Sequence, residues 1–120
     1  MDIKFSGINI FTPHPVRSFE FYKKLGLRVV ETSEPDNRWY GAMLALCDGA
    51  DEPVIWIWRS TVEEAEATRN RLVFSAGEHM DEVYERIKAA GIEIEPPYTA
   101  EWGGREMALT DPDGNSILFL

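Results

Sequence analysis

An α+β fold of two βαβββ modules, forming a curved sheet around a cleft, is what this sequence predicts. Three observations carry the reading. The order strand, helix, three strands occurs twice along the chain. Each helix ends at a glycine, Gly26 and Gly91, that leads directly into an apolar strand. Neither half alone would bury both faces of its sheet. Two halves side by side bury the helix-facing sides and leave the opposite faces to line a cleft, where a ligand goes. The halves match in element order rather than in letters. The 120 residues are read as one domain, 1–120, with modules at about 1–60 and 69–120 and a linker over 59–70.

The elements follow in order. In Phe5 to Phe11, Ile8 and Ile10 alternate with Gly7, Asn9 and Phe11, a strand with two distinct faces. Thr12 to Pro15 breaks it, and Pro15 suits the first turn of a helix, where its missing N–H costs nothing. Val16, Phe19, Tyr22 and Leu25 mark that helix's apolar stripe over 15–25. Strands are expected at Leu27 to Glu31, Trp39 to Leu46 and Val54 to Trp58. The linker is polar and alanine-rich, with one helical turn at Glu63 to Ala67. The second module begins with a strand at Arg71 to Ser75, Leu72 and Phe74 sharing a face. Met80, Val83, Tyr84 and Ile87 then have helical spacing, within a helix near 79–90. Strands at Ile92 to Ile94, Arg105 to Leu109 and Ser116 to Leu120 complete the repeat.

Composition narrows the function classes. Apolar residues at 44% and charged residues at 28% are ordinary for a globular chain, which argues against disorder. A net charge of −9 argues against nucleic acid, whose phosphates need basic neutralisation. No long apolar run suggests a membrane span, and Met1 to Phe5 shows no signal-peptide pattern. Cys47 is the one cysteine, so no internal disulfide forms. A cytoplasmic protein is expected.

Three stretches carry a resemblance. Ser18 to Leu27 reads S-F-E-F-Y-K-K-L-G-L; Tyr84 to Ile92 reads Y-E-R-I-K-A-A-G-I; Trp102 to Glu106 leads into Thr110-Asp111-Pro112-Asp113-Gly114-Asn115. In this order and spacing the chain resembles the glyoxalase / bleomycin-resistance / extradiol-dioxygenase (vicinal oxygen chelate) superfamily. Asp111 to Gly114 also stands by itself as a hairpin turn, with Pro setting φ, Asp bonding locally and Gly accepting positive φ.

The resemblance implies a divalent metal in the cleft, held by a His or Gln early in each first strand and a Glu in each last strand. Carried onto this chain, those positions fall on Gly7, on Arg71, on Leu118 and within Ile55 to Trp58. None supplies a suitable donor. His14 and His79, the two histidines, occupy matching loops but lack carboxylate partners. The expectation is a metal-ligand-deficient member with no metal and no cofactor.

The alternation places Gly7, Asn9, Phe11, Arg71, Val73 and Ser75 on the cleft side. Gly7 leaves room for a ligand, Asn9 and Ser75 offer hydrogen bonds, and Arg71 offers a bidentate grip on a carboxylate or phosphate. Arg71 also fits a strand-end arginine reaching water or a neighbouring carboxylate. Trp56 and Trp58 project from one face; with Trp39 and Trp102 they offer flat surfaces to a planar ligand. Core or dimer-interface packing would explain Trp56 and Trp58 equally well. The candidate ligand residues are therefore Gly7, Asn9, Phe11, Trp39, Trp56, Trp58, Arg71, Ser75, Trp102 and Leu118. Glu101, Glu106 and Asp111 are acid–base candidates without a nameable partner, and Cys47 suits a buried, inert position.

The reading that results is a metal-free protein holding a small planar or aromatic ligand, acting as a homodimer. A lyase, isomerase or dioxygenase of the same superfamily, or a dimeric interaction module without ligand, are the alternatives.

Overall fold

In the computed structural model, which describes residues 3–33, 41–45 and 52–120, the first unit starts with β1 (Gly7–Thr12) and α1 (Pro15–Leu25). β2 (Arg28–Thr32), β3 (Gly41–Ala45) and β4 (Val54–Arg59) follow, with sheet order β1-β4-β3-β2. β1 runs parallel to β4, and β2, β3 and β4 are antiparallel neighbours. The unit covers Met1–Arg69.

The second unit, Asn70–Leu120, repeats this plan. β5 (Arg71–Phe74) leads through a single 3₁₀ turn at Gly77–His79 into the second module's long helix, α2 (Met80–Ala89). β6 (Tyr98–Thr99), β7 (Arg105–Thr110) and β8 (Ser116–Phe119) complete it, in the order β5-β8-β7-β6 with β5 parallel to β8. The two βαβββ repeats are as expected, and the fold is α+β. Among the described residues no helix is long and apolar enough to cross a membrane.

Both long helices stop by the same device. Gly26 takes the left-handed conformation at φ 115°, and the next residue, Leu27, donates its N–H to the Tyr22 carbonyl at 3.1 Å. Gly91 does so at φ 83°, with Ile92 donating to Ile87 at 3.3 Å. A side chain at either glycine would strain this turn.

Three expectations need correction. α1 buries Pro15, Ser18, Tyr22 and Leu25, not the Val16–Phe19 side; Val16 is 42% exposed. Small Ser18 turns inward because it lets the helix approach the sheet, and the larger apolar groups sit beside that line. The strand placed at Ile92 to Ile94 is not formed; its role falls to β6 at Tyr98–Thr99. Pro96 and Pro97 stand between them and have no N–H to donate, so the ladder with β7 ends at Tyr98. The linker's helical turn is a helix, Val62–Ala67, N-capped by the Thr61 hydroxyl, which accepts from Glu64 N at 3.1 Å. Its Ala65 is buried, and the helix contacts β1, so this segment belongs to the first unit. Trp39 and Leu46, the ends of the expected third strand, lie outside the described residues, as does Cys47.

Period-two alternation sorts each sheet into a buried and an open face. In the first unit Ile10, Thr12, Ile55, Ile57, Ala42 and Leu44 are buried with Tyr22 and Leu25 of α1. In the second, Leu72, Met107, Leu109, Ile117 and Phe119 are buried, as are Met80 and Ile87 of α2. An ion pair from Arg105 of β7 to Asp81 of α2, 2.9 Å, ties helix to sheet.

The turn before β8 is a buried polar knot. Asp111, 4% exposed, accepts from Asp113 N at 2.9 Å, from Asn115 N at 2.8 Å and from Asn115 Nδ2 at 2.7 Å. Asn115 in turn accepts from Asn70 N at 2.6 Å, which fixes the start of β5 beside β8. The expected hairpin turn is thus present, with Gly114 at φ 91°. Asp111→Ala leaves several buried donors unpaired and should destabilise the fold by about 2–4 kcal/mol, read from the urea midpoint at unchanged m-value.

Candidate functional site

The first unit's open face follows from its register. Asn9, Trp56 and Met43 lie side by side across β1, β4 and β3, and Phe11, Trp58 and Gly41 form the next row. Trp58 is fixed at both ends of its indole. Its Nε1 donates to Asn9 Oδ1 at 3.0 Å, and its six-membered ring covers Gly41, where an added Cβ would meet ring carbons at 2.6 Å. The ring can lie flat on the sheet only because Gly41 has no side chain. Trp58 is 36% exposed, and Trp56 is half-buried beside it. A depression of about 270 Å³ over Trp56, Trp58, Met43, Gly41, Glu31 and Ser33 borders these rings. Ser33 fastens the rim, accepting from Gly41 N at 2.8 Å and donating to Gly41 O at 3.2 Å.

Gly7 has a different part from the one its size suggests. It adopts φ 143°, and a Cβ there would come within 1.9 Å of the Val54 carbonyl oxygen. The glycine is needed for β1 to approach β4, and the space beside it is filled by the backbone of β4. Asn9 positions Trp58, a role that its place in the sequence did not reveal.

In the second unit's open face, Arg71, Ser116 and Thr110 form one row across β5, β8 and β7, and Val73, Leu118 and Ala108 form the next. They line a depression of about 410 Å³. Ser75 is exposed just beyond the end of β5. Trp102 stands in the loop between β6 and β7, 65% exposed, with its ring over Gly104.

Trp102 and Tyr98 converge on one carboxylate. Glu106 Oε2 accepts from Trp102 Nε1 at 2.8 Å, and Oε1 accepts from the Tyr98 hydroxyl at 3.1 Å. Tyr98 was not singled out by the sequence, because its partner is set by the β6–β7 ladder, in which Tyr98 and Glu106 are opposite. The hydrogen bond to this carboxylate, then desolvation, then the nearby negative charge raise the Tyr98 pKa. Asp81, hydrogen-bonded to Arg105 and beside its charge, is held below the ordinary carboxylate range. Of the other acid–base candidates, Glu101 is exposed in the β6–β7 loop and Asp111 is committed to its turn.

The metal-ligand positions can now be placed on strands. Gly7 pairs with Val54 as Arg71 pairs with Ser116, so the residue matching Leu118 is Trp56, two positions along β4. Glycine, tryptophan, arginine and leucine therefore stand where two imidazole-type and two carboxylate donors would be required, and this set does not fit a divalent ion. Among the described residues no three His, Cys, Asp or Glu side chains cluster as a ligand set.

Two βαβββ repeats, the first with an aromatic open face, define a small α+β protein. The chain belongs to the Glyoxalase/Bleomycin resistance protein/Dioxygenase superfamily, whose family model matches residues 4–119. No curated protein matches it. Solved structures show the same fold. TioX from Micromonospora sp. is 18% identical with a TM-score of 0.72, covering 98% of this chain and 97% of its own. The fosfomycin resistance protein FosX from Listeria monocytogenes is 21% identical with a TM-score of 0.72, covering 99% and 93%. Lactoylglutathione lyase from Agrobacterium tumefaciens is 14% identical with a TM-score of 0.69, covering 96% and 90%.

The Tyr98–Glu106 bond has a pH signature. A phenol whose folded-state pKa lies above its ordinary value contributes stability that is present below that value and lost as pH rises through the folded pKa. In Glu106→Gln the carboxylate charge is gone, and the Tyr98 titration midpoint, followed through its ζ-carbon NMR shift, should fall toward that of a free tyrosine. An unchanged midpoint would show that the carboxylate does not hold the phenol.

Proposed function

We propose that this protein binds a small planar organic molecule on the tryptophan face of its first unit, without a metal ion. The observation that carries the reading is the fixed Trp58 indole, held by Asn9 and seated over Gly41 next to Trp56. A ring already immobilised loses little conformational freedom when a flat ligand stacks on it, and the adjoining depression supplies a second wall. The superfamily includes enzymes and resistance proteins. The glycine, tryptophan, arginine and leucine at the chelating positions of this chain favour binding through ring surfaces over Lewis-acid chemistry.

A second reading, a metal-free enzyme of the same superfamily, is favoured by Glu106. That carboxylate is oriented by two neutral donors and paired with no cation among the described residues, and each oxygen keeps a second lone pair for a proton-bearing group of a bound ligand.

Quinoline titrated into chelator-treated protein should move the Trp56 and Trp58 indole N–H resonances in ¹⁵N NMR spectra. Trp58→Leu should weaken binding about three- to tenfold, the range of an aromatic contact beyond its area. Asn9→Ala should weaken it less, because the ring remains but is no longer fixed. Binding that requires added Mn²⁺, Fe²⁺, Ni²⁺ or Zn²⁺, or resonance shifts confined to Trp102, would overturn the proposal.

A further inference from the structure

We infer that the open face of the second unit binds small organic anions with an apolar tail, and that Arg71 holds the anionic group. The residues are ordered by polarity along the strands. Arg71, Ser116 and Thr110 make a polar row; one alternation further along each strand, Val73, Leu118 and Ala108 make an apolar one. All six line the depression of about 410 Å³. That size lies within the roughly 300–1,000 Å³ of small-ligand sites.

The polar row is uncommitted. Among the described residues no carboxylate pairs with Arg71, and neither the Ser116 nor the Thr110 hydroxyl bonds to another protein group. Arg105, by contrast, is taken by Asp81 through two bonds of 2.9 and 3.2 Å. The carboxylate on the same open face, Glu106, has both oxygens occupied by Tyr98 and Trp102. It stands four residues from Thr110 along β7, roughly 13 Å at the rise of an antiparallel strand. A guanidinium fork at the end of the row, with the Ser116 hydroxyl on the neighbouring strand and Thr110 one strand beyond, matches the oxygens of a carboxylate.

The apolar row selects the tail. Val73 is 59% exposed although it faces a strand-borne leucine and alanine, so a hydrocarbon chain lying there would remove apolar surface from water on both sides. The two rows are two residues apart along each strand, about 7 Å. An acid of five or six carbons spans that distance with its carboxylate at Arg71. The site shares no residue with the tryptophan face, so either can fail without the other.

The experiment uses the whole chain and four probes: hexanoate, acetate, 1-hexanol and hexylamine. Hexanoate should shift the methyl resonances of Val73, Leu118 and Ala108 in ¹³C NMR spectra, together with the Arg71 Nε–H signal, in a saturable manner. Acetate lacks the tail, and 1-hexanol lacks the charge; each should bind at least about tenfold more weakly than hexanoate. Hexylamine should not compete. Arg71→Met keeps an apolar stem at an exposed position, and should lower hexanoate affinity about tenfold or more while leaving 1-hexanol unchanged. Arg71→Lys should fall between, since it keeps the charge and loses the fork. No saturable hexanoate binding, equal affinity for hexanoate and 1-hexanol, undiminished binding in Arg71→Met, or shifts located away from these residues would each overturn the inference.

Discussion

In each unit the first strand returns to pair in parallel with the last, β1 with β4 and β5 with β8, and everything about the open faces depends on that pairing. A parallel pair cannot be closed by a short turn; it needs a long crossover, here a helix and two further strands. The chain must therefore hold the first strand in place across dozens of residues. It does so by different local means in the two units. β1 approaches β4 through Gly7, whose position leaves no room for a Cβ beside the Val54 carbonyl. β5 is fixed to β8 by Asn115, which reaches from the Asp111 turn to the backbone of Asn70.

The pairing converts residue parity into chemistry. Because partner residues in a ladder project to the same side, a single register decides which side chains meet. Asn9 meets Trp56 in the same row and comes within bonding distance of Trp58 on the next. In the second unit the same rule aligns Arg71 with two hydroxyls and Leu118 with Val73 and Ala108. A slip of one residue in β5 would bury Arg71 and expose Leu72. The register is thus held by the cost of placing an arginine in the Met107–Ile117 layer.

What the residues announced and what they concealed divide along sequence distance. The helix-end glycines, the alternation in β1, β4, β5 and β8, and the Asp111–Gly114 turn were legible, since each is a contest between neighbours only a few residues apart. The strand at β6 was not. Ile92 and Ile94 alternate as a strand should, but the prolines at 96 and 97 deny the ladder its donors, and the pairing moves to Tyr98. Of the expected stripe on α1, Tyr22 and Leu25 face inward, whereas nearer its start close approach to the sheet favours Ser18 over the larger Val16 and Phe19. On the open faces, the side on which Trp56, Trp58 and Arg71 stand follows from parity, whereas Leu118 was marked only by the resemblance. The functions of Gly7 and Asn9 were not legible, because they depend on Val54 and Trp58, more than forty positions away. Tyr98 and Glu106 became partners only through a two-residue strand that no periodicity could mark.

The two open faces show why net charge is a poor guide to what such a protein binds. The chain carries −9, which would seem to exclude an anion. Charges separated by more than about 8–10 Å across water are largely screened at physiological salt, however, so a ligand in the second depression responds mainly to the groups that line it. Those groups are one arginine, two hydroxyls and an apolar strip. For the anion proposed above, the negative surface would slow approach, while the guanidinium and the tail's burial would determine how long it stays. On the first face the balance is different, with ring surface and a hydrogen-bonded indole in place of charge. One scaffold thus presents two surface chemistries, and each follows from which residues occupy the open-face rows of its unit.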